Sequence, residues 1–297
     1  MASLGGIDHK LIAVPLVAAS LGVSAYALYR LRSSNTKVCM PGSDLYESKK
    51  LLSEYLVFHF GAPEELIPYP FGPKDALDFP KRCAELCLRH FKPKDGGQSR
   101  ALDIGCAVGR STFELARVID EVIGIDYSQS FIDAADSLRL KGEMSYGLVQ
   151  EGDIFSDAVA TVPKDIDRTR VSFEQGDACD LRNDLGTFDV VLAANLVCRL
   201  HHPKYFLDRL HQLLTKPGSI LVLTGPYTWL HQFTDKNLWL GGYVDANGEA
   251  ITGFKGLQKE LATYFDLIEQ VDMPFFIRET ARKNQWTVAH ATVWRRK

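Results

Sequence analysis

Residues 100–110 read RALDIGCAVGR. A short apolar run ends on an acid, passes through two glycines four residues apart, and opens a helical pattern, RSTFELARV (110–118). Gly105 and Gly109 let the backbone turn tightly and come close to a ligand. The next apolar run, EVIGID (121–126), ends on Asp126, at the spacing where an acid can hold the hydroxyl pair of a ribose. The loop is not GxGxxG. Asp103 at the strand end suits a cationic ligand better than a pyrophosphate. S-adenosylmethionine carries a sulfonium and an ammonium, so it matches that acid. A third run, VSFEQ, leads into Gly176-Asp177-Ala178, where Asp177 can accept from an adenine amino group and a backbone N–H can donate to the ring. Cys106 in the loop, Tyr127 beside Asp126, and Asn195 complete the expected cofactor set.

Outward from this stretch the pattern alternates. QSFIDAADSLRLKG (129–142) and PKYFLDRLHQLL (203–214) have helical spacing. FDVVLAAN (188–195) and SILVLTGP (219–226) are apolar runs of strand length. Alternating strands and helices predict a doubly wound α/β fold, a mostly parallel seven-stranded sheet covered on both faces. FDLIEQVDM (265–273) and WTVAHATVWRR (286–296) have no long helix between them, and predict an antiparallel C-terminal strand pairing. Residues 143–170 interrupt the alternation and read as an insertion over one face. Upstream, residues 46–61 and 78–91 have helical spacing, closed by Gly61 and opened by Pro80.

The chain has 297 residues, 46% hydrophobic and 24% charged, with a net charge of −3. That balance gives no general attraction to nucleic acid. The six cysteines, at 39, 83, 87, 106, 179 and 198, form no CxxC pair and no zinc-type spacing. They read as buried thiols of a reducing compartment, with no metal expected. Residues 11–29 carry no charge and are long enough to span a bilayer. Arg30, Arg32 and Lys37 outnumber Lys10 across the run, which predicts a single-pass anchor with the body on the cytosolic side. The organisation expected is an anchor (1–31), a linker (32–45), a helical lid (46–97) and a catalytic domain (98–297).

From residue 98 on, the chain resembles class I S-adenosylmethionine-dependent methyltransferases. Four longer motifs carry a narrower likeness: YESKKLLSEYLVFHFG (46–61), VVLAANLVCRL (190–200), LTGPYTWLHQFTDKNLWLGG (223–242) and PFFIRETARKNQWTVAHATVWRR (274–296). These resemble the methyltransferase of ovothiol biosynthesis, which methylates a ring nitrogen of 4-mercaptohistidine. In that family the domain is often fused to an iron-dependent sulfoxide synthase, which this chain lacks. The resemblance therefore implies a stand-alone enzyme supplied with thiohistidine by a separate synthase.

The same resemblance places Asn195 at the acceptor ring, with Tyr227 as a second catalytic group. Tyr46, Tyr55, Trp229 and Arg278 are the implied substrate contacts, the arginine for the amino acid carboxylate. The family corner reads N-L-[IV]-D-R-L, and here Cys198 stands at the acid's position. That departure leaves open another small-molecule or histidine-peptide acceptor. A non-catalytic cofactor-binding scaffold is the remaining alternative.

Overall fold

The computed structural model describes residues 48–93 and 96–297. The expected membrane span, the linker, Tyr46 and Cys39 lie outside the described residues. Among the described residues no helix is long and apolar enough to cross a membrane.

Five strands run parallel. They are β1 (Arg100–Ile104), β2 (Glu121–Asp126), β5 (Val171–Gln175), β6 (Val190–Ala194) and β7 (Ile220–Gly225). The sheet ends with β10 (Phe265–Arg278) and β11 (Asn284–Arg296), giving the order β10-β11-β7-β6-β1-β2-β5. β11 slots between β7 and β10 and is antiparallel to both. β10 and β11 exceed the expected runs, because pairing continues past the apolar residues to Arg278↔Asn284. The order reverses at β1, whose neighbours are β2 and β6. The crevice at the strands' C-terminal ends there is where such sheets take ligands.

Alternate residues of each strand feed opposite cores. Ala101, Val190, Leu192, Ile220 and Val222 join one cluster, and Leu102, Val191, Ala193, Leu221 and Leu223 the other. The first face is covered by α1 (Lys49–Phe60), α2 (Phe79–His90), α3 (Arg110–Leu115) and α4 (Gln129–Lys141). The second takes α5 (Pro203–Leu213) and α6 (Gly253–Leu261). Ser48 caps α1, its hydroxyl accepting from Leu51 N at 3.2 Å. The 143–170 insertion is an antiparallel hairpin of its own, β3 (Glu143–Glu151) and β4 (Ile154–Thr161). A small hairpin, β8 (Tyr243–Val244) with β9 (Ala250–Ile251), and helix α6 were not anticipated from the sequence. The five cysteines among the described residues are all free thiols.

Candidate functional site

A cavity of about 630 Å³ opens over the C-terminal ends of β1, β2, β5 and β6 and beneath α1. The β1 turn enters it through Gly105, Cys106 and Ala107. Gly105 has φ +75°, and a side chain there would press to 3.0 Å from Leu196. Gly105 N and Cys106 N both donate to Ile125 O, at 2.7 and 3.1 Å, tying the turn to β2. Ala107 follows at φ 48°, a left-handed conformation disfavoured outside glycine.

Asp126 closes β2 on the cavity wall. Its carboxylate accepts from Ala107 N at 2.8 Å and from Ser128 N at 2.9 Å, one bond to each oxygen. The carboxylate is thereby held on the cavity wall, where a ligand hydroxyl can reach it. Tyr127 lines the wall beside it, and Asp177 and Ala178 line it after β5. Asp177 Oδ1 accepts from Cys179 N at 2.8 Å, an Asx turn that fixes the corner.

Asn195 sits where β6 breaks, at φ 54°, and lines the same cavity. Its N–H donates to Thr224 at the hydroxyl and the carbonyl, both at 3.0 Å, and its Oδ1 accepts from the Thr224 hydroxyl at 3.0 Å. The amide is thereby held in one orientation. Its oxygen keeps a lone pair and its NH₂ has no partner among the described residues. Tyr55 on α1 faces the same space, its ring 4.8 Å from that of Phe131.

Six expected site residues lie elsewhere. Asp103 is fully buried behind the wall, its Oδ2 accepting from Ser111 and Thr112 hydroxyls at 2.7 Å each. It holds the first turn of α3 against β1. Burial pushes its carboxyl up to about 6, against those two hydrogen bonds. Gly109, at φ +88°, is needed for packing: a Cβ would fall 2.5 Å from Phe173.

Tyr227 and Trp229 line a separate cavity of about 20 Å³ together with Cys198. Tyr227 is engaged with His290, its hydroxyl 2.8 Å from Nδ1. Cys198 is 3% exposed, so the thiol is a wall-backing group and not a surface of the larger cavity. Arg278 is buried and spends its guanidinium on its own fold. It donates to the Glu65, Val149 and Thr280 carbonyls and to Gln150 Oε1. It clamps the lid segment and the β3–β4 hairpin to the end of β10, and lies outside the cavity.

Four further groups line the wall. Glu54 on α1 lines the cavity with 8% exposure, and burial raises its carboxyl. His59 lines it one turn later; burial first and then Arg110 push the imidazole down to about 3, so it is neutral at working pH. Arg199 lines it four residues after Asn195, and Gln285 reaches it from β11. Arg199 carried no signal beyond its place in the corner motif.

Among the described residues one group has metal-capable atoms within 4.8 Å of one another: Asp177, Cys179 and His201. Cys179 Sγ already donates to His202 O at 3.4 Å, and burial pushes its thiol up to about 12.

The cavity fits a nucleoside-bearing cation. Its near wall offers a glycine turn, two strand-end carboxylates, and an aromatic beside one of them. Residues 102–223 match the methyltransferase domain family. The protein is an S-adenosylmethionine-dependent methyltransferase. Among solved structures, the [4+2]-cyclase SpnF is similar over 89% of this chain and 98% of its own, at 16% identity and a TM-score of 0.52. The N-methyltransferase NodS from Bradyrhizobium japonicum WM9, solved with S-adenosylhomocysteine, is similar over 84% and 98%, at 15% identity and a TM-score of 0.48. The likeness to SpnF shows the shared fold. No curated protein matches the chain in sequence.

Proposed function

We propose that this methyltransferase transfers its methyl group to an imidazole ring nitrogen of 4-mercaptohistidine. The observation that carries the reading is Asn195, a strained, doubly anchored amide at the β6 corner inside the cavity. A neutral imidazole is nucleophilic near pH 7 at whichever nitrogen lacks the proton. The site therefore has to fix the tautomer and aim one lone pair. The free lone pair on Asn195 Oδ1 can accept the ring N–H, leaving the other nitrogen directed away from Asn195. That nitrogen would form the new N–C bond as the methyl C–S bond breaks and a neutral thioether leaves, and the N–H proton would be shed afterwards to water, so no strong base is needed. His59, held neutral, adds no competing positive charge.

When bound, S-adenosylmethionine supplies a methyl carbon already activated by a sulfonium. On this reading Asp126 takes the ribose hydroxyls, Asp177 and Ala178 the adenine, and Gly105 allows the methionine portion close to the β1 turn. Tyr55 and α1 exclude water from above. We further propose that residues 11–29 anchor the enzyme to a membrane and that a separate sulfoxide synthase supplies its substrate. Retention of the full chain in the carbonate-washed membrane pellet, lost on deleting 1–31, tests the anchor.

Purified protein given thiohistidine and S-adenosylmethionine should yield a product heavier by one methyl group. Absence of that product with cofactor binding intact would falsify the substrate. Cys198, standing where the similar family has an acid, favours a second reading in which the acceptor is another imidazole, free or in a peptide. A panel of histidine, thiohistidine and histidine peptides separates the two.

A further inference from the structure

The cavity wall is acidic, carrying Glu54, Asp126 and Asp177, and His59 adds no charge to it. Arg199 is the one permanent cation on it among the described residues. Among the described residues no carboxylate pairs with Arg199. Its Nη1 donates to Thr228 O at 2.8 Å, to Cys198 O at 3.2 Å and to the Cys198 thiol at 3.4 Å, and its Nη2 to the Thr228 hydroxyl at 3.0 Å. The two carbonyls and the Thr228 hydroxyl among these acceptors carry no charge. The guanidinium also lies over the Phe233 ring, 5.1 Å from its centroid. The group is thus held in place on two sides with no carboxylate paired to it, and Nε has no acceptor, among the described residues.

A half-buried guanidinium fixed on a cavity wall without a carboxylate partner can take an anionic ligand, and its fork matches a carboxylate in geometry as well as charge. Arg199 follows Asn195 by four residues on the same corner, so both groups face one ligand. We propose that Arg199 is a specificity-determining residue that binds a carboxylate on the methyl acceptor. The acceptor is then an imidazole with an acidic side arm. Its negative end lies at the β6 corner, and any positive group lies toward the acidic walls. Arg278, expected for this task from the sequence, is withdrawn from it by its four internal bonds. The inference rests on the methyl-transfer reading of the cavity but not on the identity of the acceptor.

The test is calorimetric binding to the full-length protein saturated with S-adenosylhomocysteine, using two ligand pairs. One is thiohistidine against its decarboxylated amine; the other is imidazole-4-acetate against 4-methylimidazole. The expected result is a carboxylate preference of roughly tenfold or more, the scale of one charge-assisted contact. In Arg199→Met the preference should fall to about threefold or less. Cys198→Asp sets an acid beside Nη1 and should suppress the preference with the arginine still present.

The readout is the ratio within each variant. A purely structural role for Arg199 would weaken both members of a pair and leave the ratio unchanged. Arg199→Lys, which keeps the charge without the fork, should retain part of the preference and guards against a folding defect in the methionine variant. If wild type binds the partners that lack the carboxylate equally well, or if the preference survives Arg199→Met, the proposal is overturned. If thiohistidine gives no methylated product while imidazole-4-acetate still shows an arginine-dependent preference, the substrate named above is wrong and this inference stands.

Discussion

The two ends of the cavity are built differently. At the end formed by β1, β2 and β5, each wall residue lies within a few positions of its strand's terminus and is fixed by bonds inside its own turn or the adjoining one. Asp126 takes Ala107 N and Ser128 N, and Asp177 takes Cys179 N. At the other end, β6 supplies Asn195 and Arg199, but Glu54, Tyr55 and His59 come from α1 and Gln285 from β11. Distant segments have to meet there before a wall exists. The first end is a set of local turns, each of which works alone. The second is an assembly, and it depends on residues that never touch a ligand.

Arg278 is the sharpest case of that dependence, and its removal should have the largest effect. Arg278→Met leaves the Glu65, Val149 and Thr280 carbonyls and Gln150 without their donor in a buried setting. A loss of about 4 kcal/mol in unfolding free energy follows from the usual cost of breaking a buried charged network. Denaturant melts measure it. In protein that remains folded, acceptor KM should barely change; a large KM rise at unaltered stability would return Arg278 to the substrate site.

Asp103 gives the next effect, from behind the wall. Its folded value of about 6 lies above the ordinary 3.8, so folding favours the protonated form. Its contribution is fully present below pH 4 and is lost as pH rises through about 6. The shift corresponds to roughly 3 kcal/mol at most. His59 runs the other way: its depressed value costs stability as pH falls from 6.5 toward 3. The two slopes oppose each other in wild type, so the informative quantity is the difference between wild type and Asp103→Asn. That difference should shift in favour of the variant between pH 4 and 6. A constant offset across that window would mean that Asp103 does not titrate there.

The same division explains what was legible beforehand. RALDI, EVIGID and Gln129–Lys141 were readable because strand, turn and helix patterns are local, and the strand-end acids Asp126 and Asp177 came with them. Asp103 and Gly109 belonged to the right motif but to its scaffold. From sequence, an acid that meets the ligand and an acid that caps Ser111 and Thr112 look the same. Tyr227, Trp229 and Cys198 sit one turn from the cavity wall on corners whose direction is set by positive φ at Asn195 and Tyr227. No hydrophobic period encodes that turn. Arg199 is not legible in the sequence because its meaning lies in having no carboxylate partner among the described residues, and Glu54 because its burial on the wall is a property of the folded cavity.

Asn195→Ala tests the boundary between the two ends. Turnover should fall about 100-fold, or some 2.7 kcal/mol of transition-state stabilisation, from lost alignment. Binding of S-adenosylhomocysteine should stay within about threefold, a change of under 1 kcal/mol. A parallel drop in cofactor affinity would move Asn195 to the first end and erase the division at β6.

Asp126→Asn should have the smallest effect, because the turn around it is already built. The amide oxygen can replace one carboxylate acceptor, but the NH₂ group cannot accept from Ala107 N or Ser128 N, so one of those two bonds is lost. Cofactor affinity should fall about tenfold, near 1.4 kcal/mol, with acceptor KM unchanged. Comparing S-adenosylmethionine with S-adenosylhomocysteine identifies the cause. If Asp126 holds ribose hydroxyls, the two lose affinity equally, since they share the ribose and differ only at sulfur. If it acts as a distant negative charge, the sulfonium form loses more, and added salt shrinks the difference. An equal loss keeps the first end a set of independent turns. A charge-selective one makes Asp126, Asp177 and Glu54 a single acidic field, with Arg199 as its one interruption.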